Sequence, residues 1–126
     1  LALVIVVGCN LLRVQVVGSI GQLASLPPVE LGWIIVAAAV EELVFRGAIQ
    51  TRLAQIWRPA IAIGVTAIAF LAIHFPGRVL LAAMSDATTM VSVFLTGLVC
   101  GLLRHRTGSL WPAIAAHTAN NFGVLF

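Results

Sequence analysis

Runs of apolar residues without a single charge recur along this chain: Leu31 to Val40, Pro59 to Ile73, Thr88 to Leu103 and Leu110 to Ala116. Each ends at polar or helix-breaking residues, so the pattern predicts five apolar helical segments. The first covers Leu1 to Ile20, interrupted by Asn10 and Arg13. After the breaker-rich stretch from Ser19 to Pro28, the second runs from Val29 through Glu41, Glu42 and Arg46 to Gln50. The third spans Pro59 to Phe75, with Pro59 suited to a first helical turn and Pro76-Gly77 as its stop. The fourth spans Thr88 to Leu103. The fifth spans Leu110 to Phe126, behind a Thr107-Gly108-Ser109 turn.

These segments approach the ~20 residues that an apolar helix needs to cross a bilayer. Composition points the same way: 61% of the 126 residues are hydrophobic, 9% are charged, and the mean hydropathy is +1.12. A soluble core that apolar would lack the polar surface to cover it. The expected fold class is therefore all-α, a polytopic transmembrane helix bundle with four to five membrane helices. Residues 1–28 are expected to form a partial or irregular apolar helix and linker, and residues 29–126 a single helical core. The chain starts inside an apolar run at Leu1 and stops at Phe126 without a polar tail, as expected of a membrane domain excised from a longer protein.

Charge refines this picture. Seven Arg, no Lys and four acids give a formal charge of +3. The Arg residues are scattered singly, without the basic face and interleaved aromatics of a nucleic-acid binder. Arg52 with Arg58, and Arg104 with Arg106, fall in the connections after the second and fourth segments. Glu30, and Arg78 balanced by Asp86, fall in the alternate connections. That alternation fits helices that cross an enclosing cell membrane with their basic loops inside. Cys9 and Cys100 sit in apolar runs without C-x-x-C spacing, so free thiols are expected. Gly97 and Gly101 form a small-xxx-small pair, which lets helix backbones approach closely.

The sharpest feature is Glu41-Glu42-Leu43-Val44-Phe45-Arg46, which follows ten uncharged residues. A charge at the centre of a membrane helix costs from about 2.5 to more than 10 kcal/mol, so such residues face protein or water. Glu42 and Arg46 are i and i+4, with the acid nearer the N-terminus, the favourable order for a pair. Glu41 is turned ~100° away and left free for proton chemistry. Phe70 and His74 share a second helix face, and His117 and Asn121 a third, with Asn120 rotated away.

A carboxylate with an imidazole can hold and deprotonate a water, and an imidazole with an amide NH2 can donate to a developing oxyanion. Together they suit hydrolysis of an amide bond. No Ser or Cys stands in local relation to a base. Glu and His also suit zinc, although neither H-E-x-x-H nor a paired-His spacing occurs. An ion-coupled transporter is disfavoured by the few helices and the absence of repeated broken ones.

Three motifs in this order resemble the intramembrane glutamic proteases of the CAAX-processing and bacteriocin-processing (Abi) family: E-E-x-x-x-R at Glu41, Glu42 and Arg46, F-x-x-x-H at Phe70 and His74, and H-x-x-x-N at His117 and Asn121. The resemblance covers about Val29 to Phe126, including the Arg106-to-Trp111 approach to the last motif. It implies an all-helical membrane protease core in which Glu41 and His74 act on the attacking water. His117 and Asn121 would stabilise the oxyanion, while Glu42, Arg46 and Phe70 support the site. It also implies a membrane-associated or prenylated protein substrate, with no cofactor and no metal. A zinc-dependent membrane protease and a non-catalytic immunity or scaffold protein are the alternatives.

Overall fold

The computed structural model describes residues 27–74 and 87–124. The first apolar segment, the Pro76-Gly77 stop, Arg78 and Asp86 lie outside them. Every regular element among the described residues is helical.

Pro28 opens helix α1 (Pro28–Glu42), where a missing N–H is harmless, and Glu30 in its first turn complements the helix dipole. The chain continues without a break into a π-helical segment (Leu43–Gln50) and a short helix α2 (Thr51–Ile56). Trp57 is extended, and Pro59 then opens α3 (Pro59–His74). Helix α4 (Ala87–Thr107) carries Arg104, His105 and Arg106 in its last turn, beside the negative end of its dipole. Gly108 closes α4 in the left-handed region at φ +67°, and its N–H reaches Arg104 O at 3.0 Å. After this turn, Ser109 Oγ accepts from Trp111 N at 3.3 Å as α5 (Trp111–Val124) begins.

The second to fifth segments expected from the apolar pattern correspond to these rods. The second extends past its expected end at Gln50 to Ile56, and the fourth runs four residues further, to Thr107. Among the described residues no helix is long and apolar enough to cross a membrane. A π-helical segment divides the longest rod, α3 and α5 have 16 and 14 residues, and the 21-residue α4 ends in its basic turn.

Helix α1 packs on α5, α5 on α4 and α4 on α3, and the π-helical segment returns to α3, closing the ring. Small residues permit these approaches. A Cβ on Gly97 would lie 3.1 Å from Ala67 Cβ, and one on Gly101 would lie 2.9 Å from both Ile63 Cγ2 and Gln50 Oε1. The small-xxx-small pair thus works as expected, letting α4 ride against α3. Ala38, Ala62, Ala67 and Ala113 are fully buried, whereas Trp33, Val40, Leu43, Ile68 and Ile73 are exposed. Many bulky apolar groups face outward, and the interior combines small residues and polar groups with Phe45, Ile63, Phe70 and Val99.

Candidate active site

The polar interior begins where α1 gives way to the π-helical segment. Four residues overshoot one α-helical turn by ~40°, and fall short of the wider π turn. Combining the two keeps Glu42, Arg46 and Gln50 on one inward face, and all three are buried. Arg46 donates through Nη1 to Glu42 Oε1 at 2.8 Å and through Nη2 to Gly97 O at 2.9 Å. One turn on, Gln50 Nε2 donates to Gly101 O at 2.9 Å. Each glycine therefore admits a close neighbour and also presents its carbonyl to a side chain. Thr51 Oγ1 donates to Arg46 O at 2.9 Å at the end of the π-helical segment.

Phe70 forms the wall behind this pair. Its ring lies 4.5 Å from the Arg46 guanidinium carbon, 4.4 Å from the His74 ring and 5.3 Å from the His117 ring, the last edge to face. Phe45 braces it from a further side, also edge to face at 5.3 Å. One aromatic side chain thus spaces a guanidinium and two imidazoles, combining cation–π attraction with aromatic contact.

Each histidine is held by its Nδ1. His74 Nδ1 contacts Phe70 O at 2.8 Å, and His117 Nδ1 contacts Glu42 Oε1 at 2.9 Å. The opposite nitrogens converge on the remaining acid: Glu41 Oε2 is 3.6 Å from His74 Nε2 and 3.7 Å from His117 Nε2. These distances exceed a direct hydrogen bond, and Glu41 Oε2 is buried with no hydrogen-bond partner among the described residues. The side chains of Glu41 and His74 are 31% and 29% exposed, while His117 is 2% exposed, so the cluster reaches the surface on the Glu41–His74 side.

Six of the seven residues singled out in the sequence, Glu41, Glu42, Arg46, Phe70, His74 and His117, thus meet in one cluster. Asn121 is half-buried one turn beyond His117 and, among the described residues, makes no side-chain hydrogen bond to the cluster. Its neighbour Asn120 is the buried amide. Two features escaped the sequence reading. Gln50 extends the Glu42–Arg46 series by another four residues, a spacing visible in the chain. The Glu42–His117 bond joins residues 75 apart and has no local signature. Among the described residues no group of three or more His, Cys, Asp or Glu side chains is arranged to hold a metal ion.

Fold and cluster together define, among the described residues, an all-helical arrangement with a carboxylate–imidazole centre where its rods meet. The chain belongs to the family described as type II CAAX prenyl endopeptidase Rce1-like, whose model matches residues 24–123. No curated protein and no solved structure matches the chain.

Proposed function

We propose that this chain is the core of an intramembrane glutamic-type endopeptidase that cleaves a membrane-associated or prenylated protein substrate. The observation that carries this reading is the convergence of His74 Nε2 and His117 Nε2 on Glu41 Oε2, beside a guanidinium-paired second acid.

In the mechanism that follows, a water held by Glu41 and His74 attacks the scissile carbonyl carbon while Glu41 takes its proton. The carbonyl oxygen gains a negative charge that His117 and Asn121 stabilise; for Asn121 the support is its position one helical turn after His117. Glu41 then returns the proton to the leaving nitrogen, the C–N bond breaks, and a carboxylic acid and an amine result, the acid passing its remaining proton to the amine as the products leave. Glu42, Arg46 and Phe70 hold the two imidazoles in place.

The outward placement of bulky apolar side chains supports an integral membrane location; the cell membrane is our proposal for which membrane that is. Trp33, Val40 and Ile68 are more than half exposed, which suits a hydrocarbon solvent better than water. The close approach of α4 relies on glycine, alanine and polar contacts, the means by which helices associate where lipid supplies no hydrophobic drive. The uninterrupted helical path from Pro28 to Ile56 is roughly 40 Å long, more than a hydrocarbon core of about 30 Å. Partners on this reading are the lipid bilayer and the protein substrate, not nucleic acid.

The test is cleavage of a prenylated peptide by the purified full-length protein, compared with Glu41→Gln. Loss of cleavage with the fold retained supports the reading. A bound zinc required for turnover moves it to the metalloprotease alternative, and a cellular phenotype retained by Glu41→Gln moves it to the scaffold alternative.

A further inference from the structure

Glycine contacts fix nearly one level across the bundle. A Cβ on Gly101 would meet Gln50 Oε1 and Ile63 Cγ2, each at 2.9 Å, and one on Gly47 would meet Leu110 Cδ1 at 3.5 Å. Beyond this level the chain makes two short connections, from α2 to α3 through Trp57 and Arg58, and from α4 to α5 through Gly108 to Leu110. Both connections therefore lie at the same end of the bundle.

The charges at this end have one sign. Arg52, Arg58, Arg104, His105 and Arg106 fall there, and all but the half-buried Arg104 are exposed. Glu30, Glu41 and Glu42 precede Gln50 on the first rod, on the other side of that level, so among the described residues no acid answers the four guanidiniums. None of the four takes part in an ion pair among the described residues, and Arg104 Nε is buried there without a hydrogen-bond partner. Two helices start at this end and two finish, so their dipoles offset and the side chains set the field.

Apolar side chains girdle the arginines. Trp57 is 44% and Trp111 77% exposed, and Ile56, Ile61 and Leu102 are exposed on α2, α3 and α4. Indole rings, with an apolar body and one N–H, settle where hydrocarbon meets headgroup. Guanidinium is planar and weakly hydrated, and it pairs with phosphate through two parallel hydrogen bonds; every permanent cation at this end is Arg. A protein partner would cover one side of the bundle, whereas a girdle spread over four helices suits a layer that encloses them all.

We propose that this end of the bundle binds the headgroups of anionic phospholipids, with Arg52, Arg58, Arg104 and Arg106 on the phosphates and Trp57 and Trp111 at the edge of the hydrocarbon. The inference rests on the integral-membrane reading and deepens it by naming the lipid. It stands apart from the catalytic cluster: at ~1.5 Å rise per residue, Glu41 lies roughly 24 Å along the rod from Trp57. Substitutions at this end therefore leave the cluster untouched.

The test is reconstitution of the full-length protein in nanodiscs of equal parts phosphatidylglycerol and phosphatidylcholine, extraction in a neutral detergent, and native mass spectrometry of the lipids retained. The wild type should keep the anionic lipid over the zwitterionic one by about fivefold or more. Arg52→Gln, Arg58→Gln, Arg104→Gln and Arg106→Gln combined should bring that ratio close to one, with the amount of protein incorporated unchanged. A wild-type ratio near one overturns the proposal, as does a ratio that the combined variant leaves unaltered. So does displacement of the bound anionic lipid by millimolar inorganic phosphate, which marks a site for free anions. If the combined variant does not incorporate, the pairs Arg52→Gln with Arg58→Gln and Arg104→Gln with Arg106→Gln decide: each should lower the ratio, and no change in either overturns the proposal. A wild type that floats with vesicles of neither lipid removes the integral-membrane reading itself, and the proposal with it.

Discussion

His117 is tied through Nδ1 to Glu42 Oε1 at 2.9 Å, across 75 residues of chain and between two helices, α1 and α5, that pack directly on each other. The second acid therefore serves two partners with one oxygen, since Arg46 Nη1 reaches the same atom at 2.8 Å. Glu42, Arg46 and His117 are all buried, so Arg46 and His117 both depend on Glu42 for a hydrogen bond that water would otherwise supply.

Breaking this group should appear first as instability. Glu42→Ala leaves a guanidinium and an imidazole without their common acceptor, and removing one partner of a buried pair costs about 3–5 kcal/mol. Thermal melting of the full-length protein in detergent should show a marked fall for Glu42→Ala. An unchanged melting temperature would mean that the group contributes little to holding α1 on α5.

The glycines of α4 make a graded series. In Gly101→Ala the new methyl meets Ile63 Cγ2 and Gln50 Oε1 at 2.9 Å, and in Gly97→Ala it meets Ala67 Cβ at 3.1 Å. Overpacking of this kind typically costs about 1–3 kcal/mol. Gly64→Ala finds nothing within 4 Å and should be neutral or stabilising by up to about 1 kcal/mol, because alanine loses less entropy in a helix. Melting temperatures in the order Gly64→Ala, wild type, then the two α4 variants bear this out. Equal values for all three variants would contradict the close approach of α3 and α4.

Phe70 should matter to activity although the proposed mechanism gives it no part in proton transfer. Phe70→Leu keeps an apolar side chain but removes the ring that spaces the Arg46 guanidinium and both imidazoles. Misplacement by about 1 Å can lower a rate about 100-fold. Cleavage assays should show Phe70→Leu impaired mainly in kcat, since on the proposed mechanism the ring acts by positioning His74 and His117. A change confined to KM would place Phe70 in substrate binding instead.

Local spacing made part of this site legible. The Glu42–Arg46 pair follows from an i, i+4 relation alone, and the four helical segments from Val29 onward follow from apolar runs and their breakers. The meeting of Glu41 and His74 rests on the turn at Trp57-Arg58-Pro59. Glu41 lies roughly 16 residues before Trp57 and His74 roughly 17 after it, so a hairpin with ~1.5 Å rise per residue brings them to the same height. The π-helical segment was not legible, because Leu43 to Gln50 has nothing in its composition to distinguish it from an α-helix. The burial of Asn120 beside the half-buried Asn121 was also hidden. Rotation about one helix axis says which residues share a face with His117, but not which neighbouring helices cover that face.

The most direct measurement is the single-turnover cleavage rate of a prenylated peptide by the full-length protein and its Glu41→Gln variant, with melting temperatures for both. Glutamine keeps nearly the same volume and removes the proposed base, so the chemical step should fall by about 10² to 10⁴ with the melting temperature unchanged. A Glu41→Gln protein that is equally stable and cleaves at the wild-type rate would contradict the assignment of Glu41 as the group that activates water.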